Sequence, residues 1–408
     1  MHVVFIATPD LSYVSGSSLS LRYTVEALGR RGVRCTVLCQ HAPTLDESPL
    51  VEYRELPMPL DYQVITDTTP TSTDLTTCLT QLLTAVIDVA DVDVVHAIYG
   101  TFTGAAGALA CAILGVPLVI STYGRDMTVG AEKDERYRRL MLLSYGHTDL
   151  VIASDEATAA LAGKDYCGSG TQVCVLPPGT NFTMLRSVAR PPARADISHP
   201  RLLSVQSSFN KGKGLGVLID AFATVRKSFP HAGLVVAGHD DTPNARIQTQ
   251  LLEQVNRLGM YANVDFLGHL EHQRVAQTMA GCHVLVDPRI INSFSSCIYE
   301  AMTLAVPVVA SDVPCNCDAL AGGARGVLTR AGDPDDLARG ILTVLTDRQL
   351  ASDLAAAGIV YTDVAARQMD SSVIAKKLHH LYQNLISART ETLLATPTLE
   401  AGQAEPAP

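Results

Sequence analysis

Two doubly wound α/β halves facing each other across a cleft are what this sequence predicts, and three observations carry the prediction. Short β-branched runs alternate with amphipathic helical stretches along most of the 408 residues. The alternation stops near Asn181 and restarts at Leu202. The strand runs are apolar throughout, without the polar-apolar alternation of a half-exposed strand. Such runs belong to a parallel sheet with helices on both faces.

The elements follow in order. Val3–Ala7 reads as a buried first strand. Leu19–Arg31 reads as a helix, because Leu21, Val25 and Leu28 recur at helical spacing. Cys35–Cys39 is the second strand. Val92–His96, Pro117–Ser121, Leu150–Ala153 and Val173–Leu176 continue the set, with a helix over Gly104–Ala112 between the first two of these. Pro178, Pro191, Pro192 and Pro200 then break the pattern, so Ser187–Pro200 reads as a linker. The second half repeats the scheme with strands at Leu202–Val205, Leu234–Ala237, Val264–Phe266, Val284–Val286, Val308–Ala310 and Gly326–Leu328, and a helix at Gly216–Lys227. A last helix covers about Ser371–Leu385, and the proline-containing end reads as a disordered tail. The division expected is an N-terminal domain at 1–186, a linker at 187–200, a C-terminal domain at 201–365, a helix crossing back at 366–388, and a tail at 389–408.

Composition narrows the class. Apolar residues make up 47% and charged residues 18%, a globular balance. The formal charge of −10 argues against sequence-independent binding to nucleic acid, which needs Lys and Arg at phosphates. An anionic ligand must therefore be held by a local site. Ten scattered cysteines suit reduced thiols; the Cys315/Cys317 and Cys35/Cys39 pairs lack the partners of a zinc site. The N-terminus has no basic region ahead of its apolar run, and no apolar run is long enough to span a membrane. A cytoplasmic protein is expected, and the abundance of Arg and Ala suits a high-GC bacterial source.

In open sheets of this kind, ligands sit beyond the carboxyl ends of the strands, here in the cleft between two such sheets. The segment from Asp287 to Met302 leaves a strand, passes a serine-rich loop and enters a helix near Ser296, whose first N–H groups form an anion site. Glu300 lies one turn inside that helix. The plain alternative is a loop with Ser295 or Ser296 as helix cap. The segment Val205 to Leu215 passes Asn210-Lys211-Gly212-Lys213-Gly214 before a helix. Glycine there admits backbone to a phosphate and lysine neutralises it, although the spacing is not that of a P-loop. Ser15-Gly16-Ser17-Ser18 opens the first helix without the glycine spacing of a dinucleotide site. His96, Tyr123-Gly124-Arg125-Asp126 and Gly238-His239-Asp240-Asp241 also sit at strand ends; a lone histidine there is more often structural. Asp240-Asp241 lacks a third metal ligand.

Lys213-Gly214 before Leu218–Phe222, Leu234–Gly238, Phe266-Leu267-Gly268, Glu300-Ala301-Met302 and Pro307–Asp312 stand in one order and near one set of spacings. Together they resemble the family 4 retaining glycosyltransferases of the GT-B fold, over roughly residues 1–385. The resemblance implies a hexosyltransferase that moves a sugar, with retention and without a metal, from a nucleotide diphosphate donor to a small-molecule or glycan acceptor. It implies no cofactor beyond that donor substrate. Lys213 would hold the donor phosphates and Glu300 the ribose hydroxyls. Ser293, Phe294 and Ser295 would present backbone N–H groups, Gly238 would lie at the donor, and Gly16 would let the first loop approach it. The leaving phosphate itself would assist deprotonation of the acceptor.

The departures are specific. The family usually has a glutamate at the position of Asn292, an arginine at that of Ser208 and a histidine at that of Tyr123. Asn292 and Tyr123 can still hydrogen-bond a sugar, and Lys211 or Arg289 could supply the missing cation. These changes imply a divergent donor or acceptor, or lost activity. The alternatives are a non-catalytic protein of this fold that binds sugar nucleotides or a partner, and a phosphorylase or epimerase. The basic run Arg136, Arg138, Arg139 before Leu140–Leu143 could touch a membrane. A net-negative N-terminal half, with 13 Lys+Arg against 20 Asp+Glu over residues 1–190, disfavours an anionic surface and favours a soluble acceptor such as a cyclitol or an aglycone, in cell-envelope or natural-product glycoside synthesis.

Overall fold

The computed structural model describes every residue except 8–10, 12–15, 44–47, 58–70, 125, 128–133, 189–196, 241–242 and 396–408. Part of the expected linker (189–196) and part of the expected tail (396–408) thus lie outside the described residues.

Two parallel sheets form the chain. The first has seven strands: β1 (His2–Ile6), β2 (Arg34–Cys39), β3 (Val51–Glu55), β4 (Val94–Ile98), β5 (Leu118–Thr122), β6 (Leu150–Ala153) and β7 (Gln172–Val175), in the order β3-β2-β1-β4-β5-β6-β7. The second has six: β8 (Arg201–Val205), β9 (Gly233–Ala237), β10 (Val264–Gly268), β11 (Val284–Asp287), β12 (Val308–Ser311) and β13 (Val327–Thr329), in the order β10-β9-β8-β11-β12-β13. Strands β1, β4, β5, β6, β11 and β12 are buried along their whole length. That is why they read as unbroken apolar runs. Strand order reverses between β1 and β4 and again between β8 and β11. At such a switch point two adjacent loops leave in opposite directions and open a crevice.

The domain crossing differs from the expected one. The helix Phe182–Ser187 packs Leu185 into the second domain's core, and Phe182 against Ala365 and Met369. The chain has therefore changed domain by Thr180, ahead of the expected linker. The cause is local: Pro177, Pro178 and Gly179 end the first domain, and Thr180 pairs with the returning strand of chain at Asp370. Thr180 N–H donates to Met369 O, and Ser371 N–H donates to Thr180 O. Two chain crossings thus lie side by side.

The return is also longer. One helix runs Arg348–Met369, Asp370 is extended, and a second helix runs Ser371–Ala395. Residues 389–395, expected in the tail, continue this helix. It packs Ile374, Ala375, Leu378, Tyr382 and Leu385 into the first domain's core. Burying the large ones, Ile374, Leu378 and Leu385, contributes roughly 1.5–3 kcal/mol each, so the C-terminal helix is a structural part of the N-terminal domain. No helix among the described residues is long and apolar enough to cross a membrane.

Candidate active site

The loops after β8 and β11 leave from the second sheet's switch point and form one wall of an interdomain cleft. The start of the Gly16–Gly29 helix, after β1, forms the other. The cleft is open to solvent and is lined by Gly16, Leu19, Gln206, Lys213, Gly238, Arg289 and Glu300, among others.

Lys213 ends a single 3-10 turn, Lys211–Lys213, and Gly214 follows in the left-handed region at φ 70°. A side chain at Gly214 would place its Cβ 1.9 Å from Pro288 O. Only glycine fits, and the contact ties the Lys213 loop to the Arg289 loop. Gly238 does the same on the next strand, at φ 136°, where a Cβ would sit 2.0 Å from Gln206 O.

Arg289 is almost fully buried. Its Nε donates to Asp287 Oδ1 at 2.7 Å, and its Nη1 donates to Ser293 Oγ at 2.9 Å and to Phe294 O at 3.2 Å. It therefore shapes the serine-rich loop that precedes the Ser296–Thr303 helix. Its Nη2 has no partner among the described residues. Ser295 Oγ donates to the other oxygen of Asp287 at 2.5 Å, so the hydroxyl that could have capped the helix is turned inward. The helix's first N–H groups lack that cap. Burial would raise the Asp287 carboxyl; Arg289, the Ser295 hydroxyl and the charge of Lys213 outweigh it and hold the group below its ordinary value. Lys213, Arg289 and Asp287 together leave one net positive charge.

Glu300 is 4% exposed, lines the cleft and accepts no hydrogen bond from a described residue. Its nearest charged neighbour is the His272 ring, with Nε2 3.3 Å from Oε1. A buried carboxylate without donors is costly unless a ligand supplies them. From the opposite wall, Gly16 approaches so closely that a Cβ would lie 3.4 Å from Ser296 Oγ. Two helix starts, one from each domain, therefore meet at the cleft, where the positive end of each helix dipole favours an anion.

The structure brings Gly16, Lys213, Gly238, Arg289, Phe294, Ser295 and Glu300 together. Ser293 lies behind them as a partner of Arg289. Lys211 is exposed and borders a separate pocket with Gly214 and Gln254. Asn292 is exposed and its Oδ1 accepts from Cys315 N–H at 2.9 Å, at the start of the Pro314–Ala319 helix. Tyr123 lines a different cavity in the N-terminal domain, with Phe5, His96 and Leu378. Burial pushes its hydroxyl up to about 12. The buried Ser208 hydroxyl has no hydrogen-bond partner among the described residues. His96 bridges Tyr382 Oη at 2.6 Å and Ser121 Oγ at 2.8 Å, a structural role. Asp126 accepts from Thr122, Gly100 and Tyr145, and Asp240 accepts from Gln248 N–H. Arg136 and Arg139 pair with Asp134 and Glu135.

Ser296, expected at the start of that helix, lines the cleft, as do Leu19, Gln206 and His272, which the sequence reading does not single out. His272 stands at a helix start shortly after β10, a position that the strand-end rule could have flagged.

With this geometry in hand, residues 192–360 match the model of glycosyl transferases group 1, and residues 15–179 that of the glycosyl transferase 4-like domain. The chain is 29% identical to a phosphatidyl-myo-inositol mannosyltransferase of Mycobacterium leprae, over 56% of this chain and 58% of that protein. It is 29% identical to a D-inositol 3-phosphate glycosyltransferase of Nocardiopsis dassonvillei, over 60% of each. The matched region spans about half the length of the curated relatives. Among solved structures, sucrose-phosphate synthase of Thermosynechococcus elongatus superposes with a TM-score of 0.80 at 20% identity, over 95% of this chain and 99% of that one. HepE of Anabaena, solved with UDP and glucose, gives 0.73 at 20% identity, over 97% and 99%.

Proposed function

As a chain whose halves belong to the glycosyl transferase 4-like and glycosyl transferases group 1 families, in the GT-B fold, this protein, we propose, moves a sugar from a nucleoside diphosphate donor to a hydroxyl of a small-molecule or glycan acceptor. One observation carries the reading. Lys213, the open Nη2 of Arg289, the uncapped helix start at Ser296 and the donor-less carboxylate of Glu300 line one cleft. A nucleoside diphosphate has the matching groups: an anion at one end and a cis-diol that donates two hydrogen bonds at the other.

In this reading Lys213, Arg289 and the two helix starts stabilise the charge that grows on the departing diphosphate. Arg289 reaches the cleft from the loop after β11 and takes over for the arginine absent at Ser208. Glu300 holds the ribose, while Gly238, His269 and Leu270 line the end open to the base. Transfer proceeds with retention, the leaving phosphate taking the acceptor proton, and needs no metal because the positive groups are the protein's own. Two sets of relatives named for inositol acceptors support a cyclitol acceptor. Ten cysteines, all free, support a reducing compartment such as the cytosol.

The test is release of nucleoside diphosphate from a donor panel, with and without myo-inositol or inositol 3-phosphate. Acceptor-dependent release, unchanged by EDTA and giving a product of the donor's anomeric configuration, is expected. Loss of activity on chelation, restored by Mg²⁺, would sink the metal-free mechanism. A second reading, a non-catalytic sugar-nucleotide binder, draws on Asn292, which stands where the resemblance implies a glutamate yet is held outside the cleft. Binding without turnover across the whole panel would favour it.

A further inference from the structure

The domain interface holds a chain of polar side chains that the donor reading leaves unused. Tyr23 projects from the Gly16–Gly29 helix of the N-terminal domain, and its Oη lies 2.8 Å from His272 Nδ1. His272 opens the His272–Ala280 helix of the C-terminal domain and is 5% exposed. Its second nitrogen, Nε2, lies 3.3 Å from Glu300 Oε1 and makes no hydrogen bond among the described residues. The contact is close but not well aligned.

The chemistry of the ring orders these contacts. A neutral imidazole has one N–H and one lone pair. Burial holds the Tyr23 hydroxyl protonated, pushing it up to about 12. The phenol can therefore donate to Nδ1, which in a neutral ring leaves the proton on Nε2, on the side of the carboxylate. The other tautomer would set a lone pair against a buried carboxylate, which is repulsive at low dielectric. Tyr23 thus selects the tautomer that Glu300 requires, as an outer partner orients a ligating histidine.

We infer that Tyr23 and His272 are positioning residues that complete donor recognition only when the two domains are closed. His272 steadies one oxygen of Glu300 and leaves the other to the ribose diol. Tyr23 belongs to one domain and His272 with Glu300 to the other. Any opening of the cleft separates Tyr23 from His272, releases the ring and loosens the carboxylate. Reciprocally, a nucleotide whose diol engages Glu300 favours the closed arrangement. The inference rests on the ribose role of Glu300, and its test separates the two.

Calorimetry would compare UDP and GDP with their 2′,3′-dideoxy forms. Wild type should prefer the ribose form of at least one of them by about tenfold or more, as for hydrogen bonds to a charged group. Tyr23→Phe should reduce that preference to within about threefold, with affinity for the dideoxy form held within about twofold. His272→Gln should do the same. Tyr23→Phe added to Glu300→Gln should cost nothing further, because both act through one carboxylate. An unchanged preference in Tyr23→Phe, or an equal loss for ribose and dideoxy forms, overturns the relay while the ribose role stands. A wild type without preference, or without affinity for either nucleotide, overturns the ribose role and the relay with it.

Discussion

Lys213 and Glu300 do opposite things in one cleft, and their neighbours explain why each can. Lys213 offers charge to a cluster in which Asp287 already cancels one of two cations. In the proposed transfer, its contribution to leaving-group stabilisation is correspondingly hard to replace. Lys213→Ala should lower kcat by about 10²–10³-fold, the usual effect of losing one such donor. Because Lys213 is only half-buried, the melting temperature should hold. Near-normal kcat would remove it from the mechanism. At this scale the sequence was partly legible. Lys213 and Glu300 stand beside glycine and at a helix start, patterns that local chemistry explains. Arg289 was legible as a cation, but not its shared duty of holding Ser293 and Phe294. Asn292 and Tyr123 carry the right functional groups in the right order along the chain. The structure turns the first toward Cys315 and the second into another cavity, because side-chain direction depends on what packs around it.

The elements that matter most are two turns. The one around Gly214 joins a 3-10 turn to the Leu215–Ser228 helix and lies directly on Pro288. Gly214→Ala is expected to destabilise by about 1–2 kcal/mol from the left-handed backbone alone, and more from the clash. It should also weaken nucleotide binding, since relief of the clash moves Arg289. A thermal melt and a binding titration measured on the same sample check both; a lower melting temperature with intact binding would uncouple the two loops. Long buried strands and the two helices flanking the cleft were readable because their periodicity is strong. Several helices were not. Ser72–Ile87 carries a capping box, Thr71 with Asp74, that announces its start, yet its body is rich in threonine and lacks a sharp polar face. The short strand β7 is half-exposed, and its neighbour Pro177-Pro178-Gly179 marks the crossing more clearly than the proline-rich stretch taken for the linker.

At the scale of the molecule, the C-terminal helix ties its end of the chain to the first sheet through His96 and Tyr382. Complete burial pushes the His96 ring from 6.5 down to about 3. The folded state keeps this ring neutral while the unfolded chain protonates it below about 6.5. The stability it confers is therefore complete above that pH and drains as pH falls toward about 3, by about 1.4 kcal/mol per unit for one proton. Urea unfolding between pH 6.5 and 4 should show His96→Gln with a slope shallower by about that amount than wild type. Equal slopes would mean that the ring is not held neutral. The net charge of −10 acquires a local meaning as well. In the proposed function, an anionic donor is received by local cations, Lys213 and Arg289, and by two helix starts, against the sign of the chain as a whole.

The class of fold, its division into two sheets and the order of the donor-side motifs are written in the chain, because hydrophobic period and turn chemistry are local and act through neighbours in sequence. Which domain a short helix joins, where the chain crosses, and whether Lys211 or Arg289 lines the cleft are settled by packing. So is the bridge from Tyr23 to His272, residues 249 positions apart. Nothing in either segment encodes the other; they meet because two independently patterned sheets present their strand ends to a common cleft, and that encounter exists only in the folded molecule.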